Sequence, residues 1–391
     1  MTIKKLFLSY YSGDLVEVNQ LASALRMRGI VPWVDKSGGF SVADECETEA
    51  RRAIREDCFG LLLYATKQCF RREFIRKEMD EAWTVHVADP SFALFAVPRC
   101  ITFDELALYS LGDFGFDLSL THTIRLDKRA DLDLGYATIA RAVLHKYLER
   151  TALPCTDGIS LQISTLKLMP DKPTDMLRID ATSAFAQGVG DGKLWTQLLG
   201  GLIDVEQALS YVYGRPRLHV HGSKHLSTAF MFGRVFSQFD MDIQQTAHKV
   251  WRTDVCYADT KPFVVYTQKG DAKTRRLFVE IASGDKNVPA CVDAFLRARR
   301  LQPPLRLQLH PPSMAFSVDA ALCRAMAAHA YSEIERMITE CLISEIHIFA
   351  AVPQTFMILL GQQFRGMPPV HLYEWDGTGY TPSCRIPGGK L

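Results

Sequence analysis

RLHVHGSKHLSTAFMFGRVF, residues 217–236, aligns without gaps to EIHIFAAVPQTFMILLGQQF, residues 345–364. His219 matches His347, Gly233 matches Gly361, Phe236 matches Phe364, and the apolar positions coincide around them. Each copy reads as a strand, a tight turn and an apolar helix. Leu277 to Arg300, turning at Ser283-Gly284-Asp285, and Leu305 to Ile338 have the same form. Three identities in twenty positions lie within reach of chance, but the shared hydrophobic pattern makes duplication the better account. The C-terminal part is therefore expected to be α/β, with two related halves at about 159–270 and 271–391.

Upstream the alternation of strand and helix continues with other spacings. Lys5 to Leu8 is an apolar strand ending in the turn Tyr11-Ser12-Gly13-Asp14. Leu15, Val18, Leu21, Ala22 and Leu25 then recur at helical spacing, and Arg28-Gly29 closes that helix. Ile30 to Val34 is a second strand, Asp35 to Gly39 a loop, and Ala43 to Arg55 a helix. Gly60 to Tyr64 is a buried-type strand, Phe70 to Val85 a helix, and Tyr136 to Leu148 a final helix. Such alternation predicts a parallel sheet covered on both faces. Residues 151–158, TALPCTDG, make the best linker, which separates a first domain, 1–150, from a second, 159–391.

Composition narrows the function classes. With 391 residues, 48% hydrophobic and 23% charged, the chain is long enough for two or three globular domains. A formal charge of +1 gives no global attraction to DNA or to an anionic membrane, so any basic ligand site is local. The apolar runs Phe59 to Ala65 and Ala93 to Pro98 fall far short of the roughly 20 residues a membrane helix needs. The ten cysteines show neither a CxxC nor a cysteine–histidine cluster at zinc spacing, and no secretory signal precedes them. Reduced thiols, a soluble chain and a cytoplasmic location are expected.

KLFLSYYSGD, GIVPWVDKSGG, FGLLLYATKQC and FIRKEMDEAW, in that order, resemble a TIR domain over nearly its whole length. The resemblance implies a flavodoxin-like fold and, as in many bacterial TIR domains, cleavage of NAD+ at the nicotinamide–ribose bond. The family's catalytic glutamate falls on Glu78. On its helix, Glu73 has Lys77 and Arg76 has Asp80 four residues on, as ordinary surface pairs. Glu78 has Phe74 and Ala82 at that spacing, so it lacks a local cation and is expected at the edge of the apolar face, directed toward the ligand end of the sheet. Read from the helix alone, it is a solvated carboxylate; the resemblance gives it the catalytic role. A carboxylate suits the chemistry: departure of nicotinamide leaves positive charge on the ribose, as in glycoside hydrolysis, and a fixed anion stabilises it. The leaving pyridine is already cationic and needs no strong general acid. Tyr10, Tyr11 and Trp33 lie at the carboxyl ends of the first two strands, where open α/β sheets bind ligands; they are candidates to hold NAD+, or else core aromatics. Asp35 and Lys36 are the next candidates. No GxGxxG is present, so no dinucleotide fingerprint is read here.

IHIFAAVPQTFMILLGQQF with VHLYEWDGTGYTPSCRIP resembles the end of SAVED domains, and LHVHGSKHLSTAFMFGRVF the first half of that family. The resemblance covers about residue 158 to the end. It implies fused CARF-like, Rossmann-type halves that bind a cyclic oligonucleotide, cyclic tri-adenylate in particular. A TIR–SAVED fusion further implies an effector of bacterial CBASS anti-phage defence that assembles head-to-tail on its ligand. Helix N-termini carry unpaired N–H groups and a positive dipole end, which suits phosphates. The residues expected at the shared crevice are Ser223, Lys224 and His225; Ser283, Gly284 and Lys286; and Pro353, Gln354 and Thr355. Simple helix capping is the competing role for each. His219, His221 and His225 raise the question of a metal, but no carboxylate or cysteine completes the set at diagnostic spacing, and no metal is expected. NAD+ is then substrate, the cyclic oligonucleotide is activator, and no cofactor is required. Two rivals to NAD+ hydrolysis stay open: a non-enzymatic TIR adaptor, and a TIR that converts NAD+ into a signal.

Overall fold

β1 (Lys5–Tyr10) leads a computed structural model that describes residues 4–34, 43–126, 131–151, 153, 157–166, 176–246, 249–254, 261–268, 270, 275–284, 287–301, 304–311 and 319–389. They divide into two units, Met1–Pro154 with Asp171–Ile179, and Cys155–Pro170 with Asp180–Leu391.

In the first unit β1 is followed by α1 (Leu15–Arg26), β2 (Pro32–Trp33), α2 (Ala43–Arg52), β3 (Cys58–Ala65), α3 (Glu73–Ala88), β4 (Ala93–Pro98), α4 (Phe103–Phe114), β5 (His122–Thr123) and α5 (Leu132–Arg150). The strands run parallel in the order β2-β1-β3-β4-β5, that of a flavodoxin-like, doubly wound sheet. All of β3 is buried, as a central parallel strand covered on both faces must be. One face packs Phe7, Leu61, Leu63, Ala65, Leu94 and Ala96 against Ile54, Ile75, Met79 and Leu106. On the other, Phe59 meets Tyr147 of α5, ring centroids 4.7 Å apart.

Element ends differ from the expected ones where local hydrogen bonding changes type. The helix expected over Ala43 to Arg55 stops at Arg52 and widens into a π-turn, Ala53–Asp57. The helix expected from Phe70 begins at Glu73, because Cys69–Arg71 forms a 3₁₀ turn. α4 was not expected at all. Thr102 and Glu105 form a capping box at its start, and Gly115 (φ 79°) closes it.

The second unit begins with β6 (Ile159–Ser164), followed in sequence by β7 (Met176–Asp180), which up to Ile179 falls in the first unit, and then has α6 (Gly192–Tyr213), β8 (Leu218–His221), α7 (Leu226–Val235), β9 (Met241–Thr246) and β10 (Lys249–Arg252). It continues with β11 (Val264–Gln268), β12 (Arg276–Ala282), α8 (Val288–Ala298), β13 (Leu305–His310), α9 (Ala320–Cys341), β14 (Glu345–Ala351), α10 (Gln354–Gln363), β15 (Val370–Trp375) and β16 (Tyr380–Ile386). Two sheets result, β10-β9-β8-β6-β7 and β11-β13-β12-β14-β15-β16. The second has four parallel inner strands and antiparallel edges. β11 pairs with β13, so the second half starts before Val264 and not at residue 271.

The repeated segments occupy equivalent places, β8–α7 and β14–α10, and the two helices pack on each other. Their glycines sit at the crossing. A Cβ on Gly233 would lie 2.0 Å from the Ile358 carbonyl oxygen, and one on Gly361 would lie 2.3 Å from that of Phe230. Phe230 and Ile358 are themselves aligned positions of the repeat. The contact is therefore reciprocal, as a local two-fold axis requires.

Among the described residues no helix is long and apolar enough to cross a membrane. Cys58, Cys69, Cys100, Cys291, Cys323, Cys341 and Cys384 are free thiols.

Candidate functional site

The carboxyl ends of β12, β14 and β15 and the starts of α7, α8 and α10 surround a cavity of about 1390 Å³ within the second unit. Lys224, His225, Ser283, Gly284, Pro353 and Gln354 all line it. Turns from both halves thus reach one space, because in parallel α/β units every strand-to-helix turn falls at the same sheet end.

Lys224 is the unusual member. Its side chain is 3% exposed, and its ammonium donates to the Gly222 carbonyl at 3.0 Å. No carboxylate of the described residues pairs with it, and burial alone pulls it down from the ordinary lysine range to about 8. It is still mostly protonated at neutral pH, a positive charge kept out of water without a counter-ion. His225 accompanies it as a neutral ring: burial lowers it to about 4, Thr165 hydrogen-bonds it at 2.9 Å, and Phe185 and Trp195 pack around it.

The three helix starts are not alike. At α7 the Glu374 carboxyl group accepts the Ser227 N–H at 2.5 Å, so that N-terminus already has a side-chain acceptor. Burial raises Glu374 above the usual carboxylate range. At α8 the Asn287 side chain caps Ala290 N–H at 3.1 Å. α10 has no side-chain cap hydrogen bond from its N-cap residue; Pro353, which reads from the sequence as suited to a helix's first turn, is that N-cap, one position earlier. The expectation of open N–H groups at all three turns is therefore corrected: among the described residues, only the start of α10 has no side chain capping it.

Ser223 does not line the cavity; its carbonyl is taken by Thr165 and Leu166 N–H groups at 3.0 and 3.2 Å. Thr355 is completely buried in the first turn of α10 and does not line the cavity. Lys286 lies outside the described residues.

Sequence reasoning missed the wall opposite the turns. The β15–β16 hairpin contributes Trp375, 45% exposed, and Tyr380, whose ring meets it edge-on at 5.5 Å. Arg299 adds a second cation, its guanidinium 4.9 Å from the Phe295 ring centre. The signal available was the paired aromatics flanking Asp376-Gly377-Thr378-Gly379, a tight hairpin turn whose flanking side chains must share a face.

In the first unit, Glu78 is 7% exposed. Its Oε2 accepts the Ser9 hydroxyl at 2.6 Å, at the carboxyl end of β1. It stands inside the apolar stripe of Ile75, Met79 and Ala82 and not at a solvent edge. Period-two alternation puts Ser9 on the Phe7 face of β1, the face α3 covers, and that signal would have found it. The surface pairs around it form as spaced: Lys77–Glu73 at 3.3 Å and Arg76–Asp80 at 4.0 Å. Trp33 stacks on Phe7 at 4.4 Å, and Tyr11 packs on the same core with the Arg72 guanidinium 4.7 Å above its ring. Tyr10 is half-buried at the end of β1. Asp35 and Lys36 lie outside the described residues.

The three histidines of the first repeat do not converge. His219 contacts the Asp242 carboxylate at 3.2 Å and the Asp157 carbonyl at 2.8 Å, His221 bonds Gln244, and His225 bonds Thr165. By its match to His347, His219 reads from the sequence as a core position of the repeat. Only His347 is buried there; His219 stays partly exposed, because it pairs with Asp242.

Two Rossmann-type halves whose turns enclose one cavity define a ligand-sensing α/β domain. Residues 204–386 match the family "SMODS-associated and fused to various effectors sensor domain", SAVED, and this region is a SAVED domain. The chain is 20% identical over 195 residues to CD-NTase-associated protein 4 of Acinetobacter sp. (strain ATCC 27244 / 9458), and 21% identical over 194 residues to its namesake in Moraxella osloensis. Each match covers 49% of this chain and 41% of the relative, so the chain spans about two fifths of the curated relatives it matches. Among solved structures, the Acinetobacter baumannii Cap4 SAVED/CARF-domain containing receptor with the cyclic trinucleotide 3'3'3'-cAAA superposes with a TM-score of 0.49 at 16% identity, covering 88% of this chain and 86% of that one. The Moraxella osloensis Cap4 receptor gives 0.45 at 16% identity, covering 88% and 86%.

Proposed function

We propose that the chain is a ligand-gated NAD+ glycohydrolase of CBASS defence. A cyclic oligonucleotide binds the SAVED cavity, and the first unit, acting as a TIR domain, cleaves the nicotinamide–ribose bond of NAD+ through Glu78. The observation that carries the sensing half is Lys224, a buried ammonium without a carboxylate, at turns contributed by both halves. An anionic ring supplies the missing counter-charge, and Trp375 offers a face on which a base can stack. The volume exceeds the few hundred to about 1,000 Å³ of ordinary small-molecule sites and suits a ligand of several nucleotides. Cyclic tri-adenylate is the first to test.

For the catalytic half, the support is position. The order β2-β1-β3-β4-β5 places its ligand end at the carboxyl ends of β1 and β3, and Glu78 is held there by Ser9. The carboxylate steadies the ribose cation as nicotinamide leaves with the bonding electrons, and water then adds to the anomeric carbon. Ser9 fixes Oε2 of that carboxylate at the strand end. Ligand-driven head-to-tail stacking couples the two functions, provided the ligand prefers the assembled form, since equal affinity would shift nothing.

The test is a screen of cyclic di-, tri- and tetranucleotides for NAD+ loss, with light scattering recorded in the same samples. NAD+ loss should require a ligand, rise with scattering, and vanish in Glu78→Gln while ligand binding persists. NAD+ loss that survives Glu78→Gln removes the catalytic assignment; product analysis separates hydrolysis from conversion to a signal.

A further inference from the structure

At the opposite end of β14 from the cavity, Glu345, His347 and His371 come together. β14 and β15 are parallel neighbours in which His347 is paired directly with His371. Glu345 lies two residues before His347 and so projects from the same face. One ligand atom from each of the three side chains lies within 4.8 Å of the others. The two imidazoles stack at 4.6 Å with their planes 10° apart, and Phe278 backs His347 at 4.6 Å.

Hydrogen bonding leaves this cluster incomplete. His347 is 8% exposed, and its Nε2 is buried with no hydrogen-bond partner among the described residues, Glu345 Oε2 standing 3.9 Å from it; Nε2 of His371 likewise has no hydrogen-bond partner among them. Buried polar nitrogens ordinarily find partners, so two orphans side by side call for an explanation. His347 Nδ1, by contrast, is fixed at 2.8 Å from the Tyr373 hydroxyl. With the proton on Nδ1 donated to that oxygen, Nε2 carries the lone pair available to a metal. Metal-binding histidines are held in this way by an outer partner.

We propose that Glu345, His347 and His371 form a binding site for a divalent transition-metal ion such as zinc. Two imidazoles and one carboxylate suit zinc and its first-row neighbours better than calcium or magnesium, which take all-oxygen sets. Ligand atoms around tetrahedral zinc stand about 3.4 Å apart, given bonds near 2.0–2.1 Å. The side chains must therefore close by at most about 1.4 Å, and the stacked rings must tilt so that both lone pairs meet. A fourth position remains for water. Arg276 now shares Glu345 at 3.2 Å; its side chain is half exposed and can withdraw to solvent. The site sits on strand starts and is separate from the nucleotide cavity.

The test is titration of the metal-free full chain with zinc and with cobalt as a spectroscopic stand-in, beside His371→Gln, Glu345→Gln and Arg276→Gln. The chain's ten cysteines make total uptake uninformative, so the difference between variants is read. Wild type should take one ion more than His371→Gln, or bind it at least about 100-fold more tightly. Its cobalt spectrum should show nitrogen and oxygen ligation without a sulfur charge-transfer band. Zinc should raise the Tm of wild type and leave that of His371→Gln unmoved. Arg276→Gln should bind more tightly, since a competing cation is gone. Equal uptake and equal affinity in wild type, His371→Gln and Glu345→Gln overturn the proposal, as does a sulfur-dominated spectrum. His371 and Glu345 are only partly buried, so the comparison holds even if a change at His347 prevents folding.

Discussion

A lysine ammonium removed from water without a counter-charge is costly, and a fold that keeps one has a use for it. Lys224 fits that description, and its proton makes the use measurable. In the ligand-free protein it titrates near 8, against an ordinary value near 10.4. A phosphate beside it favours the charged form and raises that value on binding. The affinity is therefore full below about pH 8 and falls by up to tenfold per unit as pH rises through it. Isothermal titration from about pH 7 to about pH 9.5 should show this fall in wild type, and a weaker but flat profile in Lys224→Met. A flat wild-type profile would remove Lys224 from the anion's reach. His225 makes a separate prediction. Its ring stays neutral in the fold down to about 4, while the unfolded chain takes up the proton near 6.5. Stability should accordingly drop as pH falls from about 6.5 to about 4, and His225→Gln should flatten that part of the profile.

At the scale of elements, the α7–α10 crossing gives a test whose sign is diagnostic. Glycine within an exposed helix is normally improved by alanine, by about 1 kcal/mol. At Gly233 and Gly361 the added methyl would meet a carbonyl oxygen at 2.0 and 2.3 Å, so the helices must separate. Gly233→Ala or Gly361→Ala should destabilise by about 1–3 kcal/mol, read as a fall in the urea midpoint, and the two changes together should be less than additive because they open one interface. Additive, stabilising effects would remove the close crossing. The repeat was legible because strand, turn and helix each leave a periodic mark, and its glycines could be matched before their contact was known. The sequence hid what depends on distant chain. Glu374 reaches the start of α7 from 147 positions away, and no local pattern announces it. The cavity wall from β15–β16 and the pairing of β11 with β13 are likewise long-range. α4 was missed for a different reason: its capping box is short and its exposed face carries Leu108 and Leu111, which blur the amphipathic pattern.

For the molecule as a whole, the SAVED cavity belongs to neither half alone. One ligand should protect both together: hydrogen exchange at 222–227, 283–284, 351–356 and 374–380 should slow in parallel at a single ligand stoichiometry. Protection confined to one half would mean a half-site and not a shared pocket. The glutamate seated on α7 has a further implication. A ring of identical units presents the same face at every step, yet around this cavity one helix start is stoppered by its own acid, one by its own amide, and one is bare. Each unit of the proposed cyclic oligonucleotide would then meet different chemistry. Such a reader can reject a messenger with a single altered base or linkage, which a perfectly two-fold pocket would have to judge twice with the same tool.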